Sequence, residues 1–262
     1  MVHDVPEPII GMVHLPPLPG SPGFDGDRDA IVERARSDAH TLVDGGVDAI
    51  LLENFGDTPF YPDRVPPHVV AHMTAIAREI VETVTVPIGI NVLRNDAQAA
   101  LSIADAVGAA FVRVNVHVGA RVTDQGVIEG RAHETLRLRN QLGSAVAILA
   151  DHRVKHSAPL GTDPVTMADL VERGRADGIV ISGSGTGAGT PIDDIETATK
   201  RRDEIGADVP VFVGSGVDHE TVTETLSVAD GVIVGTALKR DGETTGPVDR
   251  DAVERFVEAA RG

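Results

Sequence analysis

Two carboxylates, Glu53 and Asp151, each follow directly on an apolar run, and either can serve as general base, general acid or stabiliser of a developing positive charge. Asn91 and Asn115 stand at equivalent places and can hold a sugar hydroxyl, a carbonyl or a base. His14, Arg113, His117, His152 and Lys155 occupy further run ends or the residues just beyond them, and are expected to bind substrate. A second set is made of small residues. Ser182-Gly183-Ser184-Gly185-Thr186, Gly214-Ser215-Gly216 and Gly235-Thr236 each follow an apolar run and lead towards a helix. Uncovered amides and hydroxyls in such turns wrap an anion, so these residues are expected phosphate ligands. Flexible connection or plain packing is the other reading of the same glycines.

Some features narrow this chemistry. Thr190-Pro191-Ile192-Asp193 reads as a helix cap, which would satisfy the amides after the sixth run, and Asp193 and Asp194 would repel an anion. Gly183 to Ala188 fits G-x-G-x-x-A, but away from the start of the chain, so no nicotinamide cofactor is expected. Asp151 and His152 with His117 and His156 could hold a divalent metal such as Zn or Mn, although no H-E-x-x-H spacing supports it. A Schiff-base mechanism lacks a lysine on a strand, since Lys155 falls in a loop.

The elements that must position these groups repeat. Strands read at residues 8–14, Val47–Leu52, Val86–Val92, Ala110–Val116, Ala145–Ala150, Gly178–Ser182, Val209–Val213 and Gly231–Val234. Helices read at Asp27–Asp44, Pro67–Thr83, Asp96–Val107, Arg131–Leu142, Pro164–Arg175, Pro191–Glu204, Asp218–Ser227 and Asp249–Ala260. Eight alternating pairs without a composition break imply one α/β domain over residues 1–262, a single (β/α)8 TIM barrel, with a doubly wound open sheet as the alternative. Its active site would lie at the carboxyl ends of the strands, where the residues above stand. Along the fourth strand Val112, Val114 and Val116 alternate with Arg113, Asn115 and His117, which puts the polar set inside the barrel. Arg113 then needs a partner, Glu53 or Asp151, and a purely structural pair is the competing reading.

Composition excludes several classes. The net charge is −17 and only Lys155, Lys200 and Lys239 are lysines, so no basic run exists to bind nucleic acid. Acid excess with little lysine is what a protein working in very high salt shows, because screening relieves self-repulsion. Without cysteine there is no thiolate chemistry and no disulfide. No apolar run reaches spanning length and residues 1–7 do not read as a signal peptide, so a cytoplasmic location and no membrane partner are expected.

The segments Gly11-Met-Val-His-Leu-Pro-Pro-Leu-Pro-Gly-Ser-Pro22, Leu52-Glu-Asn-Phe-Gly-Asp-Thr-Pro-Phe60, Gly89-Ile-Asn-Val-Leu-Arg-Asn95, Phe111-Val-Arg-Val-Asn115, Ala150-Asp-His-Arg-Val-Lys-His156 and Asp177–Gly187 resemble the BtpA/SgcQ family along nearly the whole chain. The resemblance implies a TIM barrel. It also implies either a role in photosystem I biogenesis, for which the family is named, or an enzyme of sugar or nucleoside metabolism. The acidic, lysine-poor composition is similar to that of haloarchaeal members.

These readings converge on an enzyme that binds a phosphorylated or ribosyl small molecule. The concrete expectation is a nucleoside phosphorylase using inorganic phosphate as co-substrate, with no resident cofactor unless a divalent metal. The alternatives are a sugar-phosphate isomerase or aldolase and a non-catalytic assembly or stability factor. A homo-oligomer is expected.

Overall fold

The computed structural model describes residues 5–152, 157–160, 165–183 and 189–262. Its centre is a closed parallel barrel of eight strands: β1 Ile9–His14, β2 Ala49–Glu53, β3 Ile88–Asn91, β4 Phe111–Val114, β5 Ala147–Asp151, β6 Gly178–Ile181, β7 Val211–Val213 and β8 Gly231–Val234. Each strand pairs with its neighbours in sequence, and β8 closes on β1. The connecting helices are α1 Arg28–Asp44, α2 Pro67–Thr83, α3 Ala97–Val107, α4 Ala132–Leu142, α5 Ile192–Glu204, α6 Val222–Leu226 and α7 Arg250–Arg261. Asp27, Asp96 and Asp249 start α1, α3 and α7 by accepting the amides of Ala30, Ala99 and Ala252, each at 2.9 Å. Among the described residues no helix is long and apolar enough to cross a membrane.

Strand periodicity separates two cores. Ile9, Val13, Ile50, Leu52, Ile88, Ile90, Val112 and Val114 face the helices, whereas Ile10, Met12, Ala49, Leu51, Phe111, Leu149, Val180, Phe212 and Ile233 fill the barrel. Glycines make room for its largest rings. A Cβ on Gly89 would lie 2.2 Å from Phe111, and one on Gly231 would lie 2.8 Å from Phe212.

The Asp before several strands fastens the barrel from below. Asp48, Asp177 and Asp230 accept the amides of Ile9, Ile148 and Val211, each at 2.8 Å, on the preceding strand of the ring. Arg261, Arg139 and Arg202, near the end of the helix before that strand, hold the same carboxylates. One Asp thus ties two strands and a helix together at three places around the ring.

Three units depart from the sequence reading. Of the helix expected at Pro164–Arg175, Pro164 lies outside the described residues and the last turn is π-helical over Asp169–Arg173, closed when Gly174 donates to the Asp169 carbonyl at 2.7 Å. The one expected at Asp218–Ser227 shortens to α6, because Asp218 binds the amides of Glu220 and Thr221, both at 3.0 Å, in a turn of its own. After β4 the chain forms a hairpin, Ala120–Thr123 with Gly126–Glu129, to which Ser157–Pro159 adds a third strand. Val116 packs under this hairpin against Ile128 rather than against a helix.

Candidate functional site

The top row of inward-facing residues follows from strand register. His14 is paired with Glu53 and Glu53 with Asn91, so these three stand side by side at the carboxyl ends of β1, β2 and β3. Arg113 lies beside Leu149, which brings Asn115 level with Asp151. Ser182, Gly214 and Gly235 continue the row at the ends of β6, β7 and β8.

Above it opens a cavity of about 660 Å³. His14, Glu53, Arg113, Asn115, Gly214, Ser215, Gly216, Gly235 and Thr236 line it, so nine residues chosen from the sequence meet in one mouth. Phe55, Phe60, Leu93, Arg94, Asp124, Gln125 and Thr244 line it as well. The two phenylalanines were visible only as parts of a motif. The hairpin tip had a signal, since Arg-Val-Thr and Val-Ile-Glu flank Asp124-Gln125-Gly126, and Gly126 takes the positive φ of +101° that the turn needs.

The two carboxylates differ in setting. Asp151 accepts from Arg113 Nε at 2.9 Å, Arg113 Nη2 at 3.1 Å and Asn115 Nδ2 at 3.1 Å, and its side chain is wholly buried. It does not line the cavity, so the structural pair is what the geometry supports for Asp151. Burial works against the Arg113 charge, but the Asp151 carboxylate outweighs it by charge and hydrogen bonding and holds the guanidinium above its ordinary pKa. Nη2 also reaches Ser182 Oγ at 3.4 Å, so the pair orients the one arginine that enters the mouth from β4.

Glu53 does line the cavity. Asn91, itself outside the lining, donates to Glu53 Oε2 at 2.6 Å, and His14 Nε2 lies 3.8 Å from Oε1. The other ring nitrogen, His14 Nδ1, is 2.9 Å from the Thr244 carbonyl, which only accepts, so Nδ1 carries a hydrogen. Nε2 of a neutral ring would then turn a lone pair towards the carboxylate. A proton on Nε2 converts that contact into an ion pair, so ring and carboxylate together can hold one proton and pass it on.

His117 is placed elsewhere. β4 ends at Val114, the alternation does not carry on to residue 117, and the buried ring lies with Nε2 at 2.8 Å from the Gly174 carbonyl. Burial pushes its pKa down against the pull of that carbonyl, which favours the neutral ring. His152 is half-buried outside the lining, with its backbone amide bonded to the Val180 carbonyl at 2.9 Å. Lys155, His156, Ser184, Gly185 and Thr186 lie outside the described residues; Gly183 is buried at the end of β6. Of the metal set suggested by the sequence, His156 lies outside the described residues, Asp151 is engaged by Arg113 and Asn115, and His117 by Gly174. Among the described residues no three His, Asp or Glu side chains group as metal ligands would.

One glycine turn and the end of β4 each carry an orphaned polar atom. Ser215 Oγ and Asn115 Oδ1 are buried and have no hydrogen-bond partner among the described residues, and both residues line the cavity. Gly214 must be glycine, since a Cβ there would lie 2.4 Å from Val180 and 3.1 Å from Arg113 Nη2. Thr190 does not cap α5 as expected. Its hydroxyl turns to the Ser215 carbonyl at 3.3 Å, and α5 begins without a side-chain cap.

The remaining motif residues hold the rim. Asn54 accepts the Leu93 amide at 2.7 Å and donates to Asp57 at 3.0 Å, while Asp57 accepts the Leu18 amide at 2.8 Å. Burial raises the Asp57 pKa, opposed by the Leu18 and Asn54 hydrogen bonds. Gly56 fits under the proline loop, where a Cβ would lie 2.5 Å from Pro17 N. Asn54, Gly56 and Asp57 therefore join the loops after β1, β2 and β3 into one wall.

Solved structures similar to the chain confirm the barrel. Tryptophan synthase from Mycobacterium tuberculosis matches with a TM-score of 0.63 at 15% identity, covering 98% of this chain and 93% of that one. N-(5'-phosphoribosyl)anthranilate isomerase from Pyrococcus furiosus matches at 0.57, also at 15% identity, covering 97% and 99%. Sequence relatives are closer. The photosystem I biogenesis protein BtpA of Synechocystis is 50% identical over 254 residues, 96% of this chain and 87% of the relative. An uncharacterized protein of Thermococcus kodakarensis is 46% identical over 257 residues, 97% and 95% of the two chains. With the BtpA family model matching residues 5–262 as well, the chain belongs to the BtpA family.

Proposed function

We propose that the protein is a nucleoside phosphorylase, transferring a ribosyl group from a nucleoside to inorganic phosphate. The observation that carries this reading is the joining, in one cavity, of the Gly214–Gly216 and Gly235–Thr236 turns with His14 and with Glu53, which Asn91 holds from outside the lining. Phosphate is taken by the amides of those turns, with the orphaned Ser215 hydroxyl as a donor, and Ser182 and Arg113 beside it. Glu53, held by Asn91, faces the sugar and stabilises positive charge as the C1'–N bond breaks. The bond's electrons leave with the base, which takes up a proton, and a phosphate oxygen forms the new bond at C1'. His14 and Glu53 supply that proton, and Asn115 is placed to grip a ribose hydroxyl or the base.

The 50% identity to a photosystem I biogenesis protein favours a second reading, a non-catalytic assembly or stability factor. Incubation with purine and pyrimidine nucleosides and phosphate in molar KCl distinguishes the two. Release of free base and ribose 1-phosphate, lost in Glu53→Gln, is expected. No release from any nucleoside would overturn the first reading.

A further inference from the structure

Aromatic side chains are scarce, six Phe, one Tyr and no Trp. Phe111 and Phe212 fill the barrel and Phe256 is buried on the inner face of α7. Phe55 and Phe60, by contrast, are only half-buried, and both line the cavity. Phe55 lies 4.7 Å from the His14 ring at 30°, and Phe60 lies 6.5 Å from Phe55 at 59°. The same cavity receives Asp124 and Gln125 from the hairpin, an insertion that the barrel itself does not need. In the ring of eight strands β4, which carries the hairpin, stands across from β8, and β3 from β7. Phe55, Phe60 and the hairpin therefore belong to the β2–β4 side of the mouth, and the glycine turns to the β7–β8 side.

We propose that Phe55, Phe60, Asp124 and Gln125 form the subsite for a flat nitrogen heterocycle, the base half of a nucleoside. This rests on the ribosyl-transfer reading. Half-exposed rings supply stacking surface that tolerates different bases. A carboxylate and an amide add what the edge of a base requires: Asp124 accepts from ring or exocyclic N–H groups, and Gln125 can both donate and accept. Gln125 Nε2 donates to Asp124 and Thr123 Oγ1 donates to Gln125 Oε1 at 3.3 Å, which holds the pair together at the hairpin tip, and a sugar alone would not use both rings.

The test is calorimetric titration of adenine, hypoxanthine and uracil, without phosphate, into wild type, Phe60→Leu and Asp124→Asn in molar KCl. Inorganic phosphate is titrated separately, and thermal unfolding confirms that each variant is folded. At least one base should bind wild type. Phe60→Leu should weaken it ~10-fold, Asp124→Asn should change the order of preference among the bases, and phosphate binding should be unchanged. Absence of base binding to wild type, or equal binding to all three proteins, overturns the subsite. Base binding that responds to the variants without any phosphorolysis keeps the subsite and removes the phosphorylase reading. Phosphorolysis with the same base preference in all three proteins does the reverse.

Discussion

Replacing Asp151 with alanine removes every acceptor that the structure gives the Arg113 guanidinium except the longer contact to Ser182. Three hydrogen bonds disappear, at 2.9, 3.1 and 3.1 Å, and a guanidinium only 4% exposed is left without its counter-charge. Breaking a buried pair from one side costs about 3–5 kcal/mol. For a chain of this length that lowers the melting temperature on the order of 10 °C. Arg113→Met with Asp151→Leu removes both charges together, and most of the loss should return, because the penalty comes from the stranded charge rather than from a missing attraction. Thermal and urea unfolding of wild type, Asp151→Ala and the double variant in molar KCl make the comparison. If the single variant unfolds within ~1 kcal/mol of wild type, or the double variant is the less stable, Asp151 is not the structural partner of Arg113. An Asp151→Asn protein with unaltered stability but no turnover would return Asp151 to the chemistry.

Glu53→Gln should behave in the opposite way, with turnover reduced ~10²–10⁴-fold and the melting temperature little changed; full phosphorolysis would remove Glu53 from the reaction. Lys239 donates to the Met12 carbonyl at 3.0 Å beside Asp38, and burial lowers its pKa from 10.5 to about 8. Between those values the unfolded chain binds the proton and the folded one does not, so folding stability should rise with pH from about 8 to 10.5, by ~3 kcal/mol at most. Lys239→Met should flatten that part of the curve, and parallel curves for the two proteins would refute the assignment. Asp230→Ala strands the buried Val211 amide and should cost ~1–3 kcal/mol, whereas Arg202→Ala, which removes only the arginine from the half-exposed Asp230, should cost less than ~1 kcal/mol; denaturant melts giving equal losses would refute this account of the fastening. Melting temperature should rise with KCl up to molar concentration, and an identical value in low and high salt would contradict the reading of the acidic composition.

Much of the barrel and of the row at its mouth could be read from residues alone, because both depend on local periodicity. An inward-facing position every second residue, repeated over eight strands, selects His14, Glu53, Asn91, Arg113 and Asp151 without reference to distant contacts. The same rule fails at His117, where the strand has already ended and a carbonyl from the far side of the chain takes the ring. Choosing between Glu53 and Asp151 was beyond local pattern. Both close an apolar run before a polar residue, and what separates them is that Arg113 and Asn115 fold onto one while Asn91 and His14 leave the other facing the cavity. The shortened helices depend on side-chain competition for backbone amides, as at Asp218, and the β4 side of the cavity depends on a hairpin whose tip residues Asp124 and Gln125 join the lining. Residue types and spacing therefore determined which groups could stand at the carboxyl ends of the strands. Only the tertiary structure decided which of them are consumed by one another and which remain turned to a ligand, since burial and partner choice are properties of the closed ring and not of any single strand.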